Sequence, residues 1–268
     1  IHEVHVWSDR PAGWWAQGVE RPEGEDPVPA ELDWDGWIGC APMRPYKEGA
    51  YHKFQWRGRE DFGTGAQGDM ACHLMDPVPW FLGLGAPLTL RSDGPTPNGE
   101  SFPLWSRVHY TFAPNRLTTR GPIPVTWHDG GKLPPVDLLA ELGTDRASLP
   151  KHACLFVGTE GALLANPYGA PRLFPDERFT NVELPKGKGV NHWHQFIDAC
   201  RGEGETSAPF SYAAELTEVA LLGNVALRYP HETLRWDGEG MKFPERPEAD
   251  AHLYPHQRKG WESEGMGG

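Results

Sequence analysis

Asp69 and His73 stand four residues apart in "GDMACHLMD", the spacing that makes two side chains neighbours on a helix surface, with Cβ atoms about 6 Å apart. An imidazole can take a proton from an alcohol and return it near neutral pH, and a carboxylate beside it can orient or charge-stabilise the ring. The same stretch carries Gly63, Gly65 and Gly68 in the spacing G-x-G-x-x-G. A dinucleotide turn needs a buried hydrophobic strand before the first glycine and an acidic residue about 20 positions later. What precedes Gly63 is "HKFQWRGREDF", which resembles no central parallel strand. The glycines therefore read as a tight helix entry near a ligand.

Other residues offer chemistry around this pair. Asp76 can bind a hydroxyl or cap the short helical turn that follows at Pro77. Arg57, flanked by Trp56, can donate to sugar hydroxyls or phosphates, or pair with Asp61 to hold a loop. Arg10 and Trp14, just past the first strand, either line a pocket mouth or pack beneath a long loop. His192 and His194 form an H-x-H, but at the start of a helix positions i and i+2 diverge, so no metal is expected there, and Asn191 reads as the cap.

These residues need elements to position them. "IHEVHVWSD" alternates Val4 and Val6 with His5 and Trp7, a strand pattern. Residues 10–62 lack sustained periodicity but carry eight aromatics between Trp14 and Trp56, so they read as an ordered, ligand-facing excursion rather than disorder. A helix is predicted from about Ala66 to Met75. Strands are predicted at "LWSRVHYTF", "PIPVTWHD", "ACLFVG", "ALLANP" and "ETLRWD", with Tyr110 and Phe112 reading as core or interface. Two late helices are "NHWHQFIDACRG" and "SYAAELTEVALLGNVALRY", the second with Leu216, Val219, Ala220, Gly223 and Leu227 on one face. Runs of strands and helices without βαβ alternation predict an α+β class, an open, mostly antiparallel or mixed sheet with helices on one face. The length allows one large domain or two small ones. The uncovered face is left for a partner surface.

The totals narrow the ligand. Lys and Arg number 25 against 37 Asp and Glu, a net charge of −12, which argues against nucleic acid or an anionic membrane surface. No apolar run approaches the roughly 18 residues of a membrane span. Four cysteines without C-x-x-C spacing indicate neither a zinc site nor a dense disulfide framework. Twelve Trp in a chain with 32 Gly and 27 Pro suit stacking on sugar rings, though pinning loops to a core is the plainer role for most of them.

The run "WRGREDFGTGAQGDMACHLMDPVPWFLGLG" resembles the substrate-site segment of the Gfo/Idh/MocA oxidoreductases, in particular their large-loop, sugar-active bacterial branch, with glucose-fructose oxidoreductase-like and inositol dehydrogenase-like members. The family's D-x-x-x-H is met by Asp69 and His73. "LDWDGWIGCAPMRPY", "FSYAAELTEVALLGNVALR" and "RKGW" extend the likeness over essentially the whole chain. The resemblance implies the family's C-terminal, dihydrodipicolinate-reductase-like α+β domain, a single domain over 1–268, without the Rossmann domain that binds NAD or NADP and carries the catalytic Lys of an E-K-P motif. It implies hydride transfer between a sugar CH–OH and nicotinamide, with His73 as acid/base, Asp69 holding it, and Arg57, Trp56, Asp76, Arg10 and Trp14 around the substrate. It also implies a sugar or glycoside substrate, docking to the nucleotide domain, a homo-oligomer through the open sheet face, and a cytoplasmic or periplasmic setting. From the residues alone, a non-redox carbohydrate-binding module and a metal-dependent sugar lyase or hydrolase remain alternatives.

Overall fold

The computed structural model describes residues 1–185, 187, 189–255 and 257–262. Among these, eight strands form one sheet: β1 (Glu3–Ser8), β2 (Thr89–Asp93), β3 (Arg107–Phe112), β4 (Ile123–His128), β5 (His152–Val157), β6 (Ala162–Ala165), β7 (Arg172–Phe174) and β8 (Thr233–Arg235). Their order is β7-β6-β5-β1-β4-β3-β2-β8. β1 lies at the centre, parallel to β4 with Val4 opposite Val125, and antiparallel to β5 with Val4 opposite Phe156. Every other pairing is antiparallel. This is the α+β, open mixed sheet expected from the order of elements.

The helices are α1 (Trp34–Ile38), α2 (Gly65–Leu74), α3 (Pro77–Leu82), α4 (Val136–Glu141), α5 (His192–Cys200) and α6 (Phe210–Leu227). The main core lies between one sheet face and α2, α3 and α6. Val4, Val6, Val108, Tyr110, Val125 and Trp127 rise from the strands to meet Ala71 and Leu74 of α2 and Leu222 of α6. The period-2 alternation of β3 and β4 places these residues on one side and Arg107, His109, Thr111 and Thr126 on the other. The helices are not confined to one face. A second core of Trp7, Leu155, Leu164 and Phe174 is closed on the opposite face by Leu139 and Leu142, so α4 and its following turn cover the β5–β6–β7 end. No helix among the described residues is long and apolar enough to cross a membrane.

The excursion between β1 and α2 is ordered by its aromatics and by buried charge. Trp34 stacks on Trp37 with ring centroids 4.9 Å apart, and Tyr51 and Phe62 close the cluster. Beneath it, the buried Glu100 carboxylate accepts from Arg44 at 3.0 Å, Arg59 at 3.1 Å and Arg21 at 2.8 Å. Three guanidiniums on one carboxylate are the kind of paired, hydrogen-bonded burial that charged groups require. Arg44 also pairs with Asp61, so Asp61 is not the partner of Arg57.

Candidate functional site

α2 is built to show one polar stripe outward. Ala66, Met70, Ala71 and Leu74 are buried, and Gln67 donates to the Tyr110 hydroxyl at 3.0 Å and to the Ala220 carbonyl at 3.2 Å. Asp69, Cys72 and His73 are left on the outer side, Cys72 and His73 exposed and Asp69 half-buried. The backbone stays helical through Met75 and Asp76, which adds Asp76 to the same stripe at the i, i+3, i+4, i+7 spacing.

Both carboxylates of the stripe are held from other elements. Arg57 pairs through Nη1 with Asp69 Oδ1. Its guanidinium lies 4.5 Å from the Phe54 ring centroid, 4.9 Å from Trp56 and 5.9 Å from Trp15. At the other end, the Tyr212 hydroxyl of α6 lies 2.6 Å from Asp76 Oδ1 and 3.1 Å from the Asp76 carbonyl oxygen. Asp76 does not cap α3 with its side chain. Its own φ of −47° and ψ of −43° are helical, whereas a capping carboxylate folds back from an extended residue. Between the two, the His73 imidazole makes no hydrogen bond to any described residue, so the Asp69 carboxylate is oriented by Arg57 and no side-chain hydrogen bond joins Asp69 to His73. Partial desolvation of its sulfur against the helix, then the negative charges of Asp69 and Asp76, push the thiol of the otherwise exposed Cys72 up, which keeps it protonated and a poor nucleophile.

A second Arg–Asp pair adjoins the first. Arg10 sits 3.6 Å over the Trp14 ring and donates to Asp9 Oδ1 at 3.3 Å. Trp14 and Phe54 meet with centroids 5.9 Å apart, so Arg10, Trp14, Trp56, Arg57 and Asp69 belong to one aromatic and charged surface. Sequence reasoning missed Asp9, Trp15, Phe54 and Tyr212. Phe54 stood in a segment read as ligand-facing, but nothing in local spacing ties Tyr212 to Asp76, 136 positions away. His192 and His194 are exposed on α5, capped as expected by Asn191, whose Oδ1 accepts from the Trp193 and His194 amides at 3.1 Å each. Among the described residues no three His, Cys, Asp or Glu are grouped to hold a metal ion. A cavity of about 990 Å³ lies between α6, the Asp61–Thr64 turn that enters α2, and the segment carrying Trp236 and Tyr254; neither Asp69 nor His73 lines it.

The glycine motif does not form a dinucleotide cradle. No strand precedes it, only the 3-10 turn Gln55–Gly58. Gly65 has φ +59°, and a Cβ there would lie 2.8 Å from Phe102. A Cβ at Gly63 would lie 2.5 Å from the Arg57 carbonyl, and one at Gly68 would lie 2.5 Å from Thr64 Oγ1. In the first turn of α2, the Ala66 N–H is taken by Gln17 Oε1 at 3.1 Å. Phe102 and Gln17 occupy the space and take a donor that a pyrophosphate would use at this helix entry, so the glycine turn is not the nucleotide's phosphate site.

The fold and this surface define an α+β domain with a central mixed sheet and one exposed, polar helix stripe. Residues 13–117 match the family described as the oxidoreductase family, C-terminal alpha/beta domain, of the Gfo/Idh/MocA group. The match takes in Arg57, Asp69, His73 and Asp76 and supports an oxidoreductase. No curated protein matches the chain. Among solved structures, an NAD-binding protein from Listeria innocua is similar at 11% identity and a TM-score of 0.39, with 87% of this chain and 54% of that one covered. That likeness is too distant to assign fold or function, and this chain spans about half the length of that protein.

Proposed function

We propose that this chain is the substrate-binding domain of an NAD(P)-dependent oxidoreductase acting on a CH–OH group of a sugar or glycoside. The observation that carries the reading is the stripe of α2: an imidazole with no hydrogen bond to any described residue, bracketed by two carboxylates each held from another element. The nicotinamide nucleotide, held by a Rossmann domain outside this chain, supplies the hydride acceptor. His73 takes the hydroxyl proton as the carbinol is oxidised and returns it in reduction. Arg57 fixes Asp69 for a substrate hydroxyl, and the Trp14, Phe54 and Arg10 surface takes the remainder of the sugar or glycoside.

Docking of a nucleotide domain is supported by apolar surface that this domain leaves uncovered. α5 has no buried residue, and Trp193, Phe196 and Ile197 stand on it exposed. The open sheet face bears Arg91, Asp93, His109 and Thr111, and the homo-oligomer proposed there is a polar interface rather than an apolar one. The test is His73→Asn in the full-length enzyme. With the fold and most of the sugar affinity kept, kcat falls by about 10² to 10⁴, the worth of a positioned acid/base. Near wild-type turnover by a folded His73→Asn protein removes the assignment.

A further inference from the structure

Asp69 and Asp76 are restrained in the same way from opposite ends of one stripe. Asp69 Oδ1 is held by Arg57, Asp76 Oδ1 by Tyr212, and Oδ2 of each makes no hydrogen bond to a described residue. Tyr212 is itself fixed: its ring meets Trp80 edge-on with centroids 5.2 Å apart, and it stands in the first turn of α6, whose later turns pack on α2. Burial, and donation to Asp76, hold the phenol well above its ordinary pKa, so it remains a donor wherever the carboxylate is charged.

Asp69 and Asp76 are seven positions apart on a helical backbone, about 10 Å of rise. Two hydrogen bonds of about 2.7 Å, one reaching inward from each carboxylate, leave about 5 Å between the oxygens they hold. That is the span of hydroxyls on alternate carbons of a sugar ring. His73, between the two carboxylates, then faces the carbon between those hydroxyls.

We propose that Tyr212 is a positioning residue that presents Asp76 as a second hydroxyl acceptor, and that the substrate is a polyol whose reacting carbinol is flanked by a hydroxyl on each neighbouring carbon. The inference rests on the oxidoreductase reading above. It excludes substrates with a single hydroxyl, and it assigns the pairing of Asp76 with Tyr212 to substrate selection rather than to helix capping. A site built to hydrogen-bond two hydroxyls rejects analogues lacking either one, because an acceptor covered by the bound substrate is then left unpaired.

The experiment uses the full-length enzyme with its nucleotide domain. A panel of aldohexopyranoses and cyclitols identifies a substrate, which is then compared with monodeoxy analogues lacking the hydroxyl on either neighbour of the oxidised carbon. Removing either hydroxyl lowers kcat/KM by about tenfold or more. Tyr212→Phe lowers kcat/KM for the complete substrate by about tenfold, mainly through KM, but leaves unchanged the rate for one of the two analogues, the one lacking the hydroxyl that Asp76 accepts. Asp76→Asn, which turns an acceptor into a donor, shows the same dependence on that analogue and serves if Tyr212→Phe fails to fold. A loss equal for the substrate and both analogues, or no loss in either variant, overturns the inference and leaves the oxidoreductase reading standing. A wild-type enzyme that oxidises no polyol of the panel overturns the reading and the inference with it.

Discussion

Arg57 shows how a residue read as a substrate ligand acquires a different first duty. Its guanidinium is committed to Asp69 and stacked among Phe54, Trp56 and Trp15, and its Nε is buried without a partner. A planar, delocalised cation suits that slot, and an ammonium does not, because it cannot spread its charge across three ring faces while donating to the Asp69 carboxylate. Arg57→Lys is therefore expected to lower kcat/KM of the full-length enzyme by about tenfold while leaving the thermal midpoint within a few degrees. In an Asp69→Asn background the same substitution costs much less, since both act through one carboxylate. Losses that multiply in the double variant would show that Arg57 acts on the substrate independently of Asp69. Asp69 and His73 were legible in the sequence because their spacing is a local property of one helix. The partners that restrain the stripe were not, because Arg57 and Tyr212 reach it from a loop and from another helix.

Among elements, the fit of α6 against α2 decides whether the stripe is held at all. Gly223 of α6 leaves room for Gln67 and the Tyr110 hydroxyl, and a Cβ there would lie 2.5 Å from Gln67 Nε2 and collide with the Tyr110 oxygen. Gly223→Ala is expected to destabilise the domain by about 1 to 3 kcal/mol, the cost of overpacking a filled contact, as read from urea unfolding. Unchanged stability would mean that α6 can slide outward without loss. The α2 entrance yields a separate expectation: because Gln17 and Phe102 occupy the place of a pyrophosphate, calorimetry on this chain alone should find no NAD(H) or NADP(H) binding in the micromolar range. Micromolar affinity lost in a Gly65 variant would restore the dinucleotide motif. Periodicity and turn signals carried enough to place β1, β3, β4, β5, β6, β8, α2, α5 and α6. They missed β2 and β7, which are five and three residues long, α1, which is five residues long, and α4, whose six residues bury only Leu139. Elements that short are defined by their neighbours in the sheet or core rather than by their own pattern.

On the scale of the whole molecule, stability depends on two adjacent buried groups with opposite proton preferences. His128 ends β4 on the face away from the main core, within 3.1 Å of His5. Burial first, then the charges of His5 and Arg107, push it down to about 2. Asp129 accepts from Trp127 Nε1 at 2.9 Å, Ser106 N at 2.5 Å and Ser106 Oγ at 2.8 Å, yet burial outweighs these donors and raises it to about 7. Unfolded, the two return to 6.5 and 3.8. Between those values the folded protein binds fewer protons at His128 than the unfolded chain, so this contribution is full above pH 6.5 and is lost as pH falls. At Asp129 the folded protein keeps a proton that the unfolded chain has released, so that contribution is full below pH 3.8 and is lost as pH rises toward 7. Across about pH 4.5 to 6 the two slopes oppose, each at a limit of about 1.4 kcal/mol per pH unit. His128→Gln removes one of them. Relative to wild type, its unfolding free energy should fall with rising pH by about 1 kcal/mol per unit in that window. Asp129→Asn should tilt the other way. Urea titrations at pH 4.5, 5.25 and 6 decide the matter, and a difference from wild type that stays constant across the three would show that neither group titrates as its burial requires.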